Sequence, residues 1–347
     1  MWLLTAQLSL FMADRDLEPA LSQAYVIVSA MSQQRDDSSP NTPDPADILQ
    51  QARALRGSKQ YDACIAVVVS ALAMLPDPAL IAELRLELGS SLLAAGRWAE
   101  AREQLSLCLD TERPASGTLY HRLGRAHQEL GELAAAESFY RQAIAAKAGK
   151  QAAKSWHQLG RVSEQQGNSK QALAAYSEAI AAFGASGQAL EQGIAAFQCG
   201  RLQQSLKQWD AAQSAFETAR SLLASDASLR AEACYALGEL AIRRQALAEA
   251  NDLLTEALSI HRHLKQQAGI GMSLLKLCQV QMLQRDWKAV LLSVRQAIEA
   301  LEQSKETAAL QLAYELQGEL LQMLGKADEA EPWLARAREL NLRSDSV

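Results

Sequence analysis

Four arginines recur where a chain would place them to hold an anion. Arg125, Arg161 and Arg201 each follow a Leu-Gly or Cys-Gly pair, and Arg53 holds the equivalent place earlier. A guanidinium is a rigid fork of donors that matches carboxylate or phosphate oxygens two at a time. Such groups set at similar intervals suit an extended anionic guest. The other reactive side chains form no comparable series. His261 and His263 are two apart, so on a helix they do not face each other, and His127 sits at a core position. The five cysteines, Cys64, Cys108, Cys199, Cys234 and Cys278, are scattered without a CxxC pair and read as buried fillers in a reducing compartment. No GxxxxGK, GxSxG or HExxH occurs. The expectation is a chain with no cofactor, no metal site and no catalytic centre.

The elements that position these arginines follow from composition and spacing. Of 347 residues, 49% are hydrophobic but only 5% are aromatic, so the apolar content is mostly Ala and Leu, both strong helix formers. There are 8 prolines and no run of alternating β-branched residues, which makes the class all-helical. The formal net charge of −6 argues against a nucleic-acid binder. The opening "MWLLTAQLSLFMADRD" lacks the basic start and small-residue cleavage site of a signal peptide, and its apolar run is about half the ~20 residues a membrane span needs. A cytoplasmic protein with no membrane span is expected.

Internal spacing carries the strongest signal. From Gly89, Gly124, Gly160, Gly200 and Gly238, twelve residues on comes Ala101, Ala136, Ala172, Ala212 or Ala250. Sixteen on comes a large residue, Leu105, Tyr140, Tyr176, Phe216 or Leu254, and nineteen on a small one, Cys108, Ala143, Ala179, Ala219 or Ala257. Small residues let two helices approach, and large ones fill the hole between them. The pattern is a helix, a turn and a second helix, repeated. It resembles the tetratricopeptide repeat, and the segment from Ala153 supplies the whole motif with Trp156, Leu159, Gly160, Ala172, Tyr176 and Ala179.

On that resemblance the fold is an α-solenoid, a right-handed superhelix of tetratricopeptide helical hairpins. The array spans 45–344, with units starting near 45, 82, 117, 153, 193, 231, 271 and 311. Residues 1–34 read as a degenerate N-terminal hairpin, 35–44 as a flexible linker and 345–347 as a tail. The spacing from Gly160 to Gly200 is 200 − 160 = 40 residues, and extra turns are expected near the ends of the second helices. Trp98, Trp209 and Trp287 share the seventeenth position and are expected to pack between helices.

In the family, the side of the first helix opposite its packing positions lines a concave groove, here positions 2, 5, 6, 9, 12 and 13 of each unit. This places His121, Arg122, Arg125, Lys154, His157, Arg161, Phe197 and Arg201 on that face, with Arg53 before them. Further along, Met272, Leu275 and Met282 make the lining apolar. Arg125 and Arg161 have Glu129 and Glu164 within reach as alternative partners.

The expected partner is a protein or peptide segment, acidic with an apolar end. The expected role is a non-enzymatic scaffold or adaptor, an assembly factor; the alternative is a regulatory or substrate-recruiting subunit of an enzyme. The family also allows peripheral association with a membrane complex. An apolar patch near Trp333 on the last helix would support self-association, since terminal repeats need a polar cap.

Overall fold

The computed structural model describes residues 45–74, 78–109, 116–146 and 149–344. The readings of 1–34, 35–44 and 345–347 lie outside the described residues. The described residues form sixteen α-helices and one short 3-10 turn, with no strand among them. The helices pack as successive antiparallel-type hairpins in two compact units, one ending at Ala182 and the other starting at Phe183.

The first unit holds α1 (Pro45–Gly57) and α2 (Tyr61–Met74), then α3 (Pro78–Ala94) and α4 (Trp98–Ser106). Next come α5 (Gly117–Glu129) and α6 (Leu133–Ala145), then α7 (Gly149–Gln165) and most of α8 (Ser169–Ala185). The second unit holds α9 (Ala189–Ser205) and α10 (Trp209–Leu222), then α11 (Ala227–Arg243) and α12 (Leu247–His263). It ends with α13 (Gln267–Leu283) and α14 (Trp287–Glu302), then α15 (Thr307–Met323) and α16 (Ala327–Ser344).

The repeated offsets have a direct structural meaning. Where a unit has Gly at position 8, in its first helix, that Gly faces the large residue at position 24, in its second. A Cβ on Gly124 would lie 2.8 Å from the Tyr140 ring, one on Gly160 2.6 Å from Tyr176, and one on Gly200 2.8 Å from Phe216. Where the unit lacks this Gly, its partner is smaller. Ala52 precedes Val68 and Cys278 precedes Val294 by the same sixteen residues, and all four are fully buried. Volume across the contact is thus conserved while residue identity is not.

Each hairpin turns through a left-handed residue at position 15. Gly occupies it in Gly96, Gly131, Gly167 and Gly325, but Lys59, Lys207, Gln245 and Arg285 adopt the same positive φ, between 59° and 61°. The hydrogen bonds are the same in both cases. Glu132 N–H donates to His127 C=O at 2.9 Å, and Gln208 N–H donates to Gln203 C=O at 2.9 Å. This is the six-to-one closure that ends a helix in the left-handed region.

The longer repeats gain length at both helices. The hairpin of α5 and α6 has 13 residues in each, whereas α9, α11, α13 and α15 have 17. These first helices begin four residues before the unit boundaries expected at 193, 231, 271 and 311. The extra turn expected only at the second helix is therefore shared with the start of the next first helix. Segments such as "ALEQ" before Gly193 consist of good helix formers, so the helix can start a turn earlier.

Two expectations about tryptophans are refined. Trp287 is 44% exposed, so its position does not bury it as a full packing residue. Trp333 is half-buried against the Tyr314 ring, 5.7 Å between centroids, with the Arg336 guanidinium 5.0 Å from its own centroid. The apolar surface on α16 falls instead on Leu342, 72% exposed.

Candidate partner-binding faces

In the first unit, α5 and α7 present the predicted cations. Arg125 and Lys154 are exposed, while His121, Arg122, His157 and Arg161 are half-buried. Arg53, on α1, is 60% exposed and lies 3.8 Å from Glu83. Arg161 donates to the Gln158 side chain at 3.2 Å, and Glu164 accepts from the Tyr176 hydroxyl at 2.8 Å. The Arg–Glu pairing available to Arg161 is therefore not formed. Arg125 has no ion-pair partner among the described residues, so its charge stays available.

His121 sits inside this cationic face, its ring tilted 5.5 Å from Tyr140. Its Nδ1 lies 2.9 Å from the Ser155 hydroxyl, which donates its single proton to the Gln151 carbonyl at 2.9 Å. Ser155 can therefore only accept from the imidazole, and the proton rests on Nδ1. Burial first, then the charges of Lys154, Arg125 and Arg122, lower its pKa to about 4. At neutral pH the face carries arginine and lysine charges around an uncharged imidazole. Arg56 and Arg122 share the nearly buried Glu87 carboxylate as counter-ion: Arg56 pairs with it directly, and Arg122 feels its charge.

His157 packs its ring 6.0 Å from Tyr176, in the place that His121 takes against Tyr140. Both rings thus cover one edge of a notch-filling tyrosine.

In the second unit, α9, α11 and α13 wall a trough. One cavity of about 510 Å3 is lined by Phe197, Arg201, Glu232, Tyr235 and Met272. A second, of about 490 Å3, shares Arg201, Gln204 and Glu239 with it and adds Trp209, Arg243 and Lys276. Nearly all of these belong to positions 2, 5, 6, 9, 12 and 13, the face read from helical periodicity. Phe197 is 6% exposed and packs 5.7 Å from Phe216, so only its edge meets the trough. Leu275 and Met282 are half-buried and line neither cavity.

Charges in the trough are partly spent. Lys276 pairs with Glu239 at 2.6 Å, and Gln204 donates to the same carboxylate at 3.4 Å. Arg243 lies 3.7 Å above the Trp209 ring, a cation–π contact. Arg201 and Glu232 are exposed and unpaired by any ion bridge among the described residues. Burial, with the Glu239 charge behind it, raises the Tyr235 hydroxyl above its ordinary range and keeps it a neutral donor.

One wall is a small polar relay. The buried His261 shares a hydrogen bond of 2.8 Å with Gln266, which donates to Ser228 at 2.7 Å. Gly269 leaves room for it, since a Cβ there would lie 2.4 Å from His261 Nδ1.

Periodicity marks Lys276 and Arg243, at positions 6 and 13, as part of this face, although neither stood among the expected site residues. Trp209, at position 17, and the His261 relay carry no such signal.

The five cysteines are buried and free, and burial raises each thiol, Cys278 to about 12. None is a thiolate at neutral pH. Among the described residues no group of three or more His, Cys, Asp or Glu could hold a metal ion. No described helix is long and apolar enough to cross a membrane.

A tetratricopeptide-repeat model matches residues 117–149 and 153–183. No curated protein sequence matches the chain. In fold it is similar to the apo form of RapI, with a TM-score of 0.63, 13% identity, 86% of this chain and 98% of that one. It is also similar to the apo form of the quorum sensor NprR from B. thuringiensis, with a TM-score of 0.59, 14% identity, 94% of this chain and 99% of that one. A third structure is a signal transduction ATPase with a tetratricopeptide repeat sensor from Pyrococcus horikoshii, with a TM-score of 0.63 and 11% identity over 92% of this chain and 52% of that one. Two segments of the chain thus match the tetratricopeptide repeat, and the described residues around them form a helical-repeat fold.

Proposed function

We propose that this chain is a non-enzymatic scaffold or adaptor of the cytoplasm, an assembly factor that holds a segment of a partner protein against its first-helix face. In the first unit the segment is acidic where it meets Arg125 and Arg161, and in the second unit the same face is more apolar at Met272. The observation that carries this is the exposed Arg125 guanidinium, which has no ion-pair partner among the described residues although Glu129 lies four residues away on the same helix. A solvated surface arginine at that spacing would gain ~0.3–0.5 kcal/mol from such a pair. Leaving it unmade keeps the donors free for an incoming carboxylate. Arg201 supports the same reading in the second unit.

The experiment is capture of the partner on the tagged full chain, then affinity measured against salt. Replacing Arg125, Arg161 and Arg201 together by Ala should weaken binding and flatten its salt dependence, because fewer charges are screened. An unchanged salt curve removes the proposal.

A further inference from the structure

The two cavities of the second unit share one rim and join into a single trough. Charges of opposite sign without an ion-pair partner among the described residues stand along it, two of them, Glu232 and Arg243, on α11. Glu232 lies near the start of that helix and Arg243 near its end, 243 − 232 = 11 residues apart. At ~1.5 Å per residue the separation along the axis is ~16 Å. An extended peptide advances ~3.3 Å per residue, so about five residues cover it.

Between the two ends, Phe197, Tyr235 and Met272 form the apolar stretch of the roughly 510 Å3 cavity. The Glu239 carboxylate beside them is neutralised by Lys276 and does not repel an acidic group. Arg201, which lines both cavities, and the Trp209-stacked Arg243 at the far end both retain a guanidinium without a carboxylate partner among the described residues. Gln204 and Gln279 on the walls offer amide groups of the kind that pair with a peptide backbone.

We infer that this trough binds an extended peptide segment of about five residues, with a cationic group over Glu232, an apolar side chain between Phe197, Tyr235 and Met272, and a carboxylate on Arg201 and Arg243. Charge complementarity at both ends selects this occupant over an all-acidic or all-apolar strand. The inference rests on the reading that the first-helix face holds a protein segment, and it fixes the order of charges along that segment in the second unit.

The test uses the full chain and an end-blocked, dye-labelled peptide, Lys-Ala-Leu-Ala-Glu, read by fluorescence polarisation. Saturable binding with a Kd below about 1 mM is expected. A control peptide with Gln at both ends should bind about tenfold more weakly, as should one with Ser for Leu. Arg201→Gln should weaken the charged peptide about threefold or more and leave the Gln peptide unchanged. Arg201 is exposed, and a helical circular dichroism spectrum confirms that the variant folds.

The absence of saturable binding, or an equal loss for both peptides, overturns the inference. Arg125→Ala with Arg161→Ala separates the two readings, since these residues belong to the first unit. If partner capture depends on them but the peptide does not bind, only the trough assignment falls. If the peptide follows Arg201 while capture is indifferent to Arg125 and Arg161, the trough assignment stands and the wider reading falls.

Discussion

Tyr140 fills the notch left by Gly124. The ring lies where a Cβ on Gly124 would stand, 2.8 Å from Cδ1, and the hydroxyl continues past it to donate to Gln128 at 2.8 Å. One side chain thus closes the hairpin and anchors the first-helix face beside His121. A methyl on Gly124 must displace the ring, which is fully buried. Gly124→Ala should cost ~1–3 kcal/mol and lower the urea midpoint. Tyr140→Phe keeps the ring and loses only the hydrogen bond, so a loss of ~1 kcal/mol is expected. Equal midpoints for Gly124→Ala and the parent chain would show that the notch can open freely.

His121 reports the charge of its face. With its proton on Nδ1 and cations around it, the imidazole should titrate near 4 by NMR, well below the ordinary ~6.5. The folded value is depressed, so between pH 6.5 and 4 the unfolded chain binds the proton more readily. Stability should therefore fall as pH drops through that window. Binding an anion at Arg125 would raise the value, because it offsets part of the positive field. A titration at 6.5 that no acidic ligand shifts would contradict the geometry.

Glu256 joins α12 to its neighbours in the second unit. Its carboxylate receives Arg220 at 2.5 Å and Arg230 at 2.6 Å. Burial alone would raise the carboxyl, but the two guanidiniums outweigh it and hold the group below its ordinary range. The stabilisation is present above the unfolded value of ~4.3 and is lost as pH falls through the lower folded value. Glu256→Gln should lower the thermal midpoint at pH 7 and shrink that difference under acid. A constant difference across the acid range would mean that the pair contributes nothing.

What the sequence disclosed follows the range of the interaction. The Gly–Tyr notch and the first-helix face are set by offsets of sixteen and by helical periodicity, so Gly160 and Tyr176 announce their contact by spacing alone. Arg125, Arg122 and Lys154 are legible as one face for the same reason. The trough is not, because its shape depends on how far α9, α11 and α13 stand apart, and that distance is a tertiary quantity. The helix starts at Ala189 and Gln267 were hidden too, since Ala and Gln permit a helix without marking its first residue. Arg220 and Glu256 are 36 residues apart, and no local pattern pairs them.

The turn at position 15 offers the last prediction. Lys207 and Gly131 close their hairpins with matching hydrogen bonds, at φ values of 60° and 77°. An L side chain in the left-handed region costs ~1–2 kcal/mol, whereas glycine meets almost no steric cost there. Glycine also gives the unfolded chain more freedom, which removes ~0.4–1 kcal/mol of any gain. Lys207→Gly should therefore stabilise by about 0.5–1 kcal/mol, while Gly131→Ala should destabilise by about 1 kcal/mol. Urea unfolding of both variants checks the pair of signs. If the two substitutions shift the midpoint in the same direction, the turn conformation at one of these positions is not the one described.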